Sequence, residues 1–215
     1  SVDYNGYTTV EQVARTAPFA TAAEFREIRA DVLAGNPDLD RGQSTDWIDE
    51  VTAPGVSQVH NLSLSGGVGE MSYRAAINYR DINGVGINSG FDQLNGRLNL
   101  TQKTLNDRLM ITLNLSNTER RSSFGFAESF RYANVYNPTE PVLSDNPAFV
   151  ENFGGYYQRD AFDYFNPVAL AEQNLNEGIF KTLLATIRGD LEITSGLTFS
   201  ASYNLQRRSN LFGQF

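Results

Sequence analysis

The feature that most constrains this chain is a pair of alternating segments between residues 91 and 117. In the first segment the residues of one parity are apolar or glycine: Leu94, Gly96, Leu98 and Leu100. The second segment repeats the pattern with Leu109, Ile111, Leu113 and Leu115. Because successive side chains of a strand point to opposite faces, this period of two predicts a sheet with one aliphatic and one polar face. The polar stretch 102–108 predicts the turn of a β-hairpin.

The aliphatic face of this hairpin lacks charge over a length that suits a membrane. Roughly nine to ten residues are needed for a tilted strand to cross a bilayer, and the charge-free stretches have about that length. No apolar run of the chain approaches the ~20 residues of a membrane helix. Barrel strands need no such run, because only every second residue faces lipid. The pattern therefore favours a membrane barrel, with a soluble β domain as the alternative.

Composition argues against several classes of function. The net charge is -8, and the 17 Lys and Arg residues are scattered, which argues against a nucleic-acid-binding surface. There is no Cys, and the single histidine, His60, lies inside an alternating segment. The acidic pairs Asp160/Asp163 and Asp49/Glu50 have no nucleophile or base placed beside them. We therefore expect no catalytic residues, no metal site, no cofactor and no enzymatic activity.

Together with this hairpin, alternation elsewhere in the chain predicts six strands arranged as three hairpins, at 58–65, 72–80, 94–101, 109–116, 180–194 and 197–205. Residues 1–57 show no convincing strand pattern. Thr21 and Glu24 have the spacing of a capping box, and the apolar residues after them predict a helix over 22–34. A shorter capped turn is predicted to start at Thr9.

The predicted connections alternate in length. Those at 66–70, 102–108 and 195–196 are short, 81–90 is longer, and 118–179 is very long. An up-and-down meander places successive connections at opposite ends of the sheet, so the short ones gather at one end. This asymmetry is typical of outer-membrane barrels, which have short periplasmic turns and long extracellular loops.

Several motifs resemble one family. Residues 44–100 contain Ser44-Thr-Asp-Trp47, the run Gly55 to Gly67 (GVSQVHNLSLSGG), Tyr73, Tyr79, Asp81, Gly84, Asn88-Ser-Gly-Phe91 and Arg97-Leu-Asn-Leu100. This stretch closely resembles the SusC/RagA-like TonB-dependent transporters of the outer membrane of Bacteroidetes. Asn166-Pro-Val-Ala169, followed by Glu172-Gln173, is similar to the same family.

The resemblance implies an all-β, antiparallel up-and-down meander that is part of a 22-stranded transmembrane β-barrel, with short helices in its long loops. It also implies a plug inside the barrel, coupling to the TonB complex through that plug, and a SusD-like surface lipoprotein that captures oligosaccharides or peptides. Aligned in this way, the chain would begin in the first extracellular loop and carry about the second to the seventh strand, without the plug or the first strand. The start at Ser1 without Met leads us to expect a piece of a longer protein.

The predicted organisation has four parts. Residues 1–57 form an extracellular-loop segment, 58–117 form two hairpins of barrel strands, 118–179 form a long extracellular loop, and 180–215 form a last barrel hairpin. The function expected is import of oligosaccharides or other large nutrients across the outer membrane, in contact with its lipid. The alternative is a soluble or cell-surface β-sandwich that binds carbohydrate and buries its leucines between two sheets. The transported substrate cannot be inferred from the residues.

The long loop contains the candidate ligand-binding residues. Aromatic residues are frequent between Phe124 and Phe165, and aromatic rings beside carboxylates suit sugars, whose C–H faces stack on rings while their hydroxyls bond to Asp and Asn. The substrate-binding candidates are Tyr156, Tyr157, Asp160, Asp163 and Tyr164. The alternative is that these rings form the loop's own core or dock on a lid protein.

Overall fold

A computed structural model describes residues 1–214, and its main element is one antiparallel sheet of seven strands. The strands follow each other in chain order across the sheet. Their bounds are β1 Val2–Glu11, β2 Gly55–Val68, β3 Met71–Asn83, β4 Gly90–Thr104, β5 Leu109–Ser123, β6 Asn176–Thr194 and β7 Leu197–Gln214. The predicted all-β, up-and-down meander is therefore confirmed. The predicted hairpin 180–215 ends at Phe215, which lies outside the described residues.

Six short helices lie in the connections. Their bounds are α1 Ala22–Ile28, α2 Ala30–Gly35, α3 Trp47–Glu50, α4 Glu128–Ala133, α5 Pro147–Phe153 and α6 Pro167–Gln173, and a 3-10 turn covers Pro37–Leu39. None of the helices in residues 1–214 is long and apolar enough to cross a bilayer.

Strand β1 was not predicted, and its presence corrects two expectations. It pairs with β2 over its whole length, from Val2 opposite Leu64 to Glu11 opposite Gly55. The turn predicted at Thr9 is therefore wrong, and the chain begins in a strand rather than in a loop. Gly6 and Thr8 occupy apolar-parity positions of β1, which weakened the alternation, and only pairing with β2 reveals the strand.

The predicted helix over 22–34 is present as two shorter helices. The capping box that starts α1 is confirmed, because the Thr21 amide donates to a Glu24 carboxylate oxygen (2.8 Å) and the Glu24 amide donates to the Thr21 hydroxyl (3.3 Å). Arg29 interrupts the helix with a non-helical backbone (φ -107°, ψ 17°). The predicted apolar stripe is only partly covered, since Ile28 is 69% exposed.

The long connections all lie at one end of the sheet, as predicted. That end carries the connections 12–54, 84–89 and 124–175, and the opposite end carries only the turns 69–70, 105–108 and 195–196. Each of the inner strands extends past its predicted limit, mainly toward the long-connection end. In the 105–108 turn, Leu105, Asn106 and Asp107 all have positive φ, between +55° and +64°.

The sheet has one aliphatic face and one polar face. Strand pairing places alternate residues on the same side, and a representative row of the aliphatic face runs Val2, Leu64, Ala75, Leu98, Leu115, Ala185 and Leu205. Large side chains of this face are exposed to solvent: Ile77 is 53% exposed and Tyr203 is 66% exposed. In residues 1–214 no second sheet covers them, so the β-sandwich arrangement is not observed.

The uncharged band on the aliphatic face crosses the paired rows at an angle. On β3 the band runs from Tyr79 to Met71, and on β7 it runs from Leu205 to Leu197, nine residues in each case. Successive pairs connect Tyr79 to Ser209, so the band on β7 begins four residues nearer the short-turn end. The edge of the band at the short-turn end is displaced by the same amount. Met71, which ends the band on β3, is linked through successive pairs to Ala201, but the band on β7 ends four residues further on, at Leu197. Four residues over four strands is a step of one residue per strand.

The polar face carries a row of amide side chains. Asn5, Asn61, Asn78 and Asn95 are paired across β1 to β4, and the row continues to Thr118 on β5. The Asn78 amide donates to Asn61 at 2.5 Å, and the Asn95 amide donates to the Thr118 hydroxyl at 2.6 Å. The two faces therefore differ sharply in polarity.

The main cluster of buried apolar side chains lies in the connections, not on the sheet. Trp47, Val51, Ala133, Tyr136 and Val168 form a buried cluster, and half-buried side chains pack around it. This cluster joins the β1–β2 connection to the β5–β6 connection and positions the candidate site described next.

Candidate ligand site in the long connections

The β5–β6 connection (124–175) is folded around Asn166, which is fully buried. The Asn166 carboxamide oxygen accepts hydrogen bonds from the amides of Val168 and Ala169, so Asn166 caps the N-terminus of α6. Its amide nitrogen donates to the carbonyl oxygens of Val142 (2.9 Å) and Tyr157 (3.0 Å). One side chain therefore ties together three separate segments of the connection.

The β1–β2 connection docks on this folded segment through residues 43–47. The Trp47 indole nitrogen donates to the Asn137 carbonyl oxygen at 3.0 Å, and its ring packs edge-on against Tyr136 at 4.8 Å between centroids. The Thr45 hydroxyl donates to the Glu140 carbonyl oxygen at 2.6 Å. The two longest connections of the chain therefore form one packed body.

Two cavities open on this body. The larger, about 680 Å³, lies between the 16–22 segment, α3 and residues 133–138. The smaller, about 450 Å³, lies between α5, α6 and the 158–165 segment. The smaller cavity is lined by aromatic and polar side chains, among them Phe149, Phe153, Phe165, Gln158, Asp160 and Gln173. Both volumes fall in the range of small-ligand sites.

Two of the five predicted site residues line the smaller cavity. Asp160 is exposed at its rim, and Tyr164 contributes to both cavities. Tyr164 stacks on Tyr136 at 4.4 Å between ring centroids, and its hydroxyl accepts a hydrogen bond from the Asn137 amide at 2.5 Å. Burial, together with the nearby Glu140 carboxylate, raises the pKa of Tyr164 well above its ordinary value, so it stays a neutral hydroxyl.

The other three predicted residues have structural contacts in this conformation. Tyr157 is buried and packs against Phe149 at 5.2 Å between ring centroids. Tyr156 is half-buried against the apolar cluster. Asp163 accepts a hydrogen bond from the Tyr132 hydroxyl, which is the main reason that its pKa is lowered, and it also pairs with Arg131. The expectation that rings build the loop's own core thus describes Tyr156 and Tyr157 well.

A buried ion pair lies between the two cavities. Glu140 is fully buried and pairs with Arg159, whose side chain is partly exposed and lines both cavities. Burial raises the pKa of the Glu140 carboxyl, and the Arg159 charge opposes that rise. Among the described residues, Arg159 is therefore the one cationic residue that lines both cavities.

The smaller cavity offers apolar rings beside hydrogen-bonding groups. Phe149, Phe153 and Phe165 present flat surfaces, and Gln158, Gln173 and Asp160 present amide and carboxylate groups. This combination suits a ligand with both apolar faces and many polar groups, such as a sugar or a peptide. In residues 1–214 no group of three or more His, Asp or Glu residues is arranged to hold a metal ion.

Sequence reasoning missed several lining residues. The phenylalanines belong to a general abundance of rings in the sequence. Gln158 and Arg159 carry no signal there, and Gln173 enters only as part of a motif that resembles the family, not as a ligand-binding residue. Gln173 lies on α6 and reaches back to donate to the Phe153 carbonyl oxygen at 3.0 Å. Such a contact depends on how the connection folds and leaves no periodic signal in the sequence.

Comparison with known proteins identifies the relationship of the chain. No family model matches the sequence. A curated relative, the TonB-dependent receptor SusC of Bacteroides thetaiotaomicron, is 28% identical over 162 residues, which is 74% of this chain and 16% of that protein. The chain is SusC/RagA-like. It spans less than a fifth of the length of the curated relative that it matches.

Solved structures agree on the fold. The RagAB peptide transporter superposes on 99% of this chain and 28% of the matched chain, with a TM-score of 0.72 and 16% sequence identity. The RagAB peptide importer in its open-open state gives a TM-score of 0.71 with 17% identity. The seven-stranded meander therefore has the fold of one part of a TonB-dependent barrel.

The residues that carry the likeness have clear structural roles in this SusC/RagA-like chain. Trp47 joins the two long connections, and Asn166 ties together three segments of the β5–β6 connection, as described above. The Asn88 amide nitrogen donates to a Glu172 carboxylate oxygen at 3.1 Å, which links two of the similar motifs. A Cβ atom at Gly90 would lie 2.4 Å from the Ile82 carbonyl oxygen, so only glycine fits there.

Proposed function

We propose that the chain forms part of the wall and mouth of an outer-membrane, TonB-dependent transporter that imports oligosaccharides or peptides. The observation that carries this proposal is the uncharged band on the aliphatic face. The band has the nine-residue length of a tilted membrane strand. Its step of one residue per strand is what a level hydrocarbon layer requires when strands tilt by about 35–45°.

The slant follows from barrel geometry. In a tilted sheet, the line through paired residues is perpendicular to the strands, so it rises or falls relative to the membrane plane. A strand spacing of about 4.8 Å and a rise of about 3.3 Å per residue make one residue per strand the step expected near 35° of tilt. A sandwich core has no such requirement, because a second sheet would cover complete rows.

The proposal assigns positions to the rest of the chain. The long connections face the cell exterior, the short turns face the periplasm, and the polar face lines the barrel interior. The four-part organisation expected from the sequence is retained, except that the 1–57 segment begins with β1. The partners proposed are a SusD-like lipoprotein at the long-connection end, membrane lipid at the aliphatic face, and the TonB complex acting on a plug elsewhere in the protein.

The ligand role of the smaller cavity is part of this proposal. Asp160 and Phe153 line the cavity and are exposed, so their replacement leaves the buried cluster intact. The predicted residues Tyr156, Tyr157, Asp163 and Tyr164 support the cavity or line it. The ligand is expected to stack on the phenylalanines and to hydrogen-bond to Asp160 and the two glutamines.

Uptake by the full-length protein tests this function. Cells producing the Asp160→Ala/Phe153→Ala variant should take up oligosaccharide or peptide several-fold more slowly than cells producing the parent protein. The matched control is Asp145→Ala/Phe162→Ala, which removes the same side-chain types from exposed positions outside both cavities. Equal uptake by the two variants would refute the ligand role of the cavity. Absence of the full-length protein from the outer membrane would refute the transporter assignment itself.

A further inference from the structure

Charges on the aliphatic face are segregated at the long-connection edge of the band. On β5, β6 and β7 this edge carries Arg121, Lys181 and Arg207. On β3 and β4 it carries Asp81 and Asp92, which are paired with each other. One part of the edge is therefore basic and the adjoining part is acidic.

Two of the three cations share one carboxylate. Glu119 pairs with Arg121 at 3.1 Å through one oxygen and with Lys181 at 3.3 Å through the other. The Arg121 and Lys181 side chains nevertheless remain 64% and 55% exposed. Glu177 lies on the same face of β6, two residues beyond the partner of Arg121. The three cations and the two acids, Glu119 and Glu177, leave this group a net charge of about +1, so it still attracts anions.

Arg207 places the third cation directly against the uncharged band. It is paired with Leu183, while Lys181 lies two residues further along β6 on the same face. Diagonal neighbours of this kind are about 7–8 Å apart at the backbone, within reach of long side chains. Arg207 is exposed and makes no ion pair with any described residue. Toward the short-turn end the face continues with Leu205, Leu115 and Ala185.

We propose that Arg121, Lys181 and Arg207 form a binding site for the anionic phosphate headgroups of membrane lipids, in the leaflet on the long-connection side. This inference rests on the proposed function, because it requires the aliphatic face to contact lipid. A lipid whose acyl chains cover the leucines of β5 to β7 places its phosphate at the height of these three cations. Basic side chains at a membrane surface each contribute about 1 kcal/mol to binding of anionic lipid.

The position of the charges favours lipid over an acidic protein as the occupant. The three cations lie directly at the edge of the uncharged band, and Arg207 is next to Leu183 and Leu205, which belong to the band. An acidic protein bound there would have to cover exposed leucines as well. The acidic pair Asp81 and Asp92 repels phosphate, so the site is confined to the β5–β7 part of the circumference.

The test measures lipid retention by the full-length protein. The protein is reconstituted in a bilayer of phosphatidylcholine and phosphatidylglycerol, extracted mildly, and the co-purifying lipids are counted by native mass spectrometry. The parent protein should retain phosphatidylglycerol in preference to phosphatidylcholine. Arg121→Gln/Arg207→Gln should lower that preference by about fivefold for each side chain removed. Glu119→Gln should raise it.

The chain supplies a closely matched control. Arg120 and Arg208 are the sequence neighbours of Arg121 and Arg207 and lie on the opposite, polar face. Arg120→Gln/Arg208→Gln carries the same change of charge and should leave the lipid preference unchanged. Equal losses in the two double variants, or no preference in the parent protein once it is in the bilayer, would overturn the lipid site alone. A full-length protein that does not enter the bilayer would overturn the proposed function together with it.

Discussion

The Trp47 indole nitrogen donates a hydrogen bond to the Asn137 carbonyl oxygen, across ninety positions of the chain and at a distance of 3.0 Å. Trp47 is only 3% exposed, and Asn137 in turn donates from its side-chain amide to the Leu39 carbonyl oxygen at 2.7 Å. These contacts fix the β1–β2 connection against the β5–β6 connection. At the long-connection end of the sheet, the β1–β2 and β5–β6 connections therefore stabilise each other.

Replacing Trp47 should release the two connections from each other. Trp47→Ala removes a buried ring from the cluster and should destabilise the packed body by about 3–5 kcal/mol, whereas Trp47→Phe keeps most of the volume and should cost less. Limited proteolysis should then cut the 12–54 and 124–175 connections faster, with the sheet still resistant. If both variants were as resistant as the parent protein, the docking of the connections would not depend on this residue.

Asn166 and Asn146 form a natural comparison, since each caps a helix and precedes a proline. The Asn146 side chain accepts from the Ala148 amide only, whereas the Asn166 side chain is fully buried and makes four hydrogen bonds. Asn166→Ala should destabilise the connection by about 2–4 kcal/mol, and Asn146→Ala by about 1 kcal/mol. Hydrogen exchange in α5 and α6 measures both. Similar effects at the two positions would contradict the central role assigned to Asn166.

The two faces of β4 should respond in opposite ways to a new charge. Leu98 lies in the middle of the uncharged band, and Asn99 is its neighbour on the polar face. Leu98→Lys in the full-length protein should destabilise the membrane-inserted state by about 2–4 kcal/mol, and Asn99→Lys should be nearly neutral. Folding into lipid vesicles as a function of denaturant measures the difference. A greater effect at Asn99 would reverse the assignment of the lipid face.

The segment after α2 should loosen at low pH. Arg26 holds Asp40 through two short contacts, 2.6 and 2.9 Å, and these hydrogen bonds are the main reason that the pKa of Asp40 is lowered to about 2. A lowered carboxyl pKa means that the stabilisation is present above the ordinary value near 4 and is lost as the pH falls toward 2. Protection of the Gly42 amide, which donates to Asp40 at 2.8 Å, should fall over that range. Arg26→Gln should abolish most of this pH dependence.

Most of the sheet could be predicted from the sequence, because a period of two survives wherever one face is continuously aliphatic. The six strands at 58–65, 72–80, 94–101, 109–116, 180–194 and 197–205 were found for that reason. Strand β1 was missed because Gly6 and Thr8 interrupt its apolar parity, and its order depends on pairing with β2. The helix over 22–34 was predicted too long, since Arg29 carries no sequence signal of a break.

The candidate site was predictable only in its composition. The aromatic rings and nearby carboxylates of the 124–165 stretch predict ligand contact there, and Asp160 and Tyr164 line the smaller cavity. Which rings would be buried could not be foreseen, because Tyr157 packs against Phe149 and Tyr164 against Tyr136 only after the connection has folded around Asn166. In contrast, the motifs that resemble the family include Trp47 and Asn166, but the resemblance does not indicate the contacts that these two side chains make.

The oblique course of the uncharged band has a practical meaning for any survey of substitutions on this surface. Leu94 and Glu119 are direct strand partners, yet one belongs to the band and the other lies beyond its edge. In the proposed transporter, depth in the bilayer therefore cannot be assigned by treating hydrogen-bonded neighbours as equivalent. Positions of equal immersion follow a spiral displaced by one residue at each successive strand, and measured energies should be compared along that path.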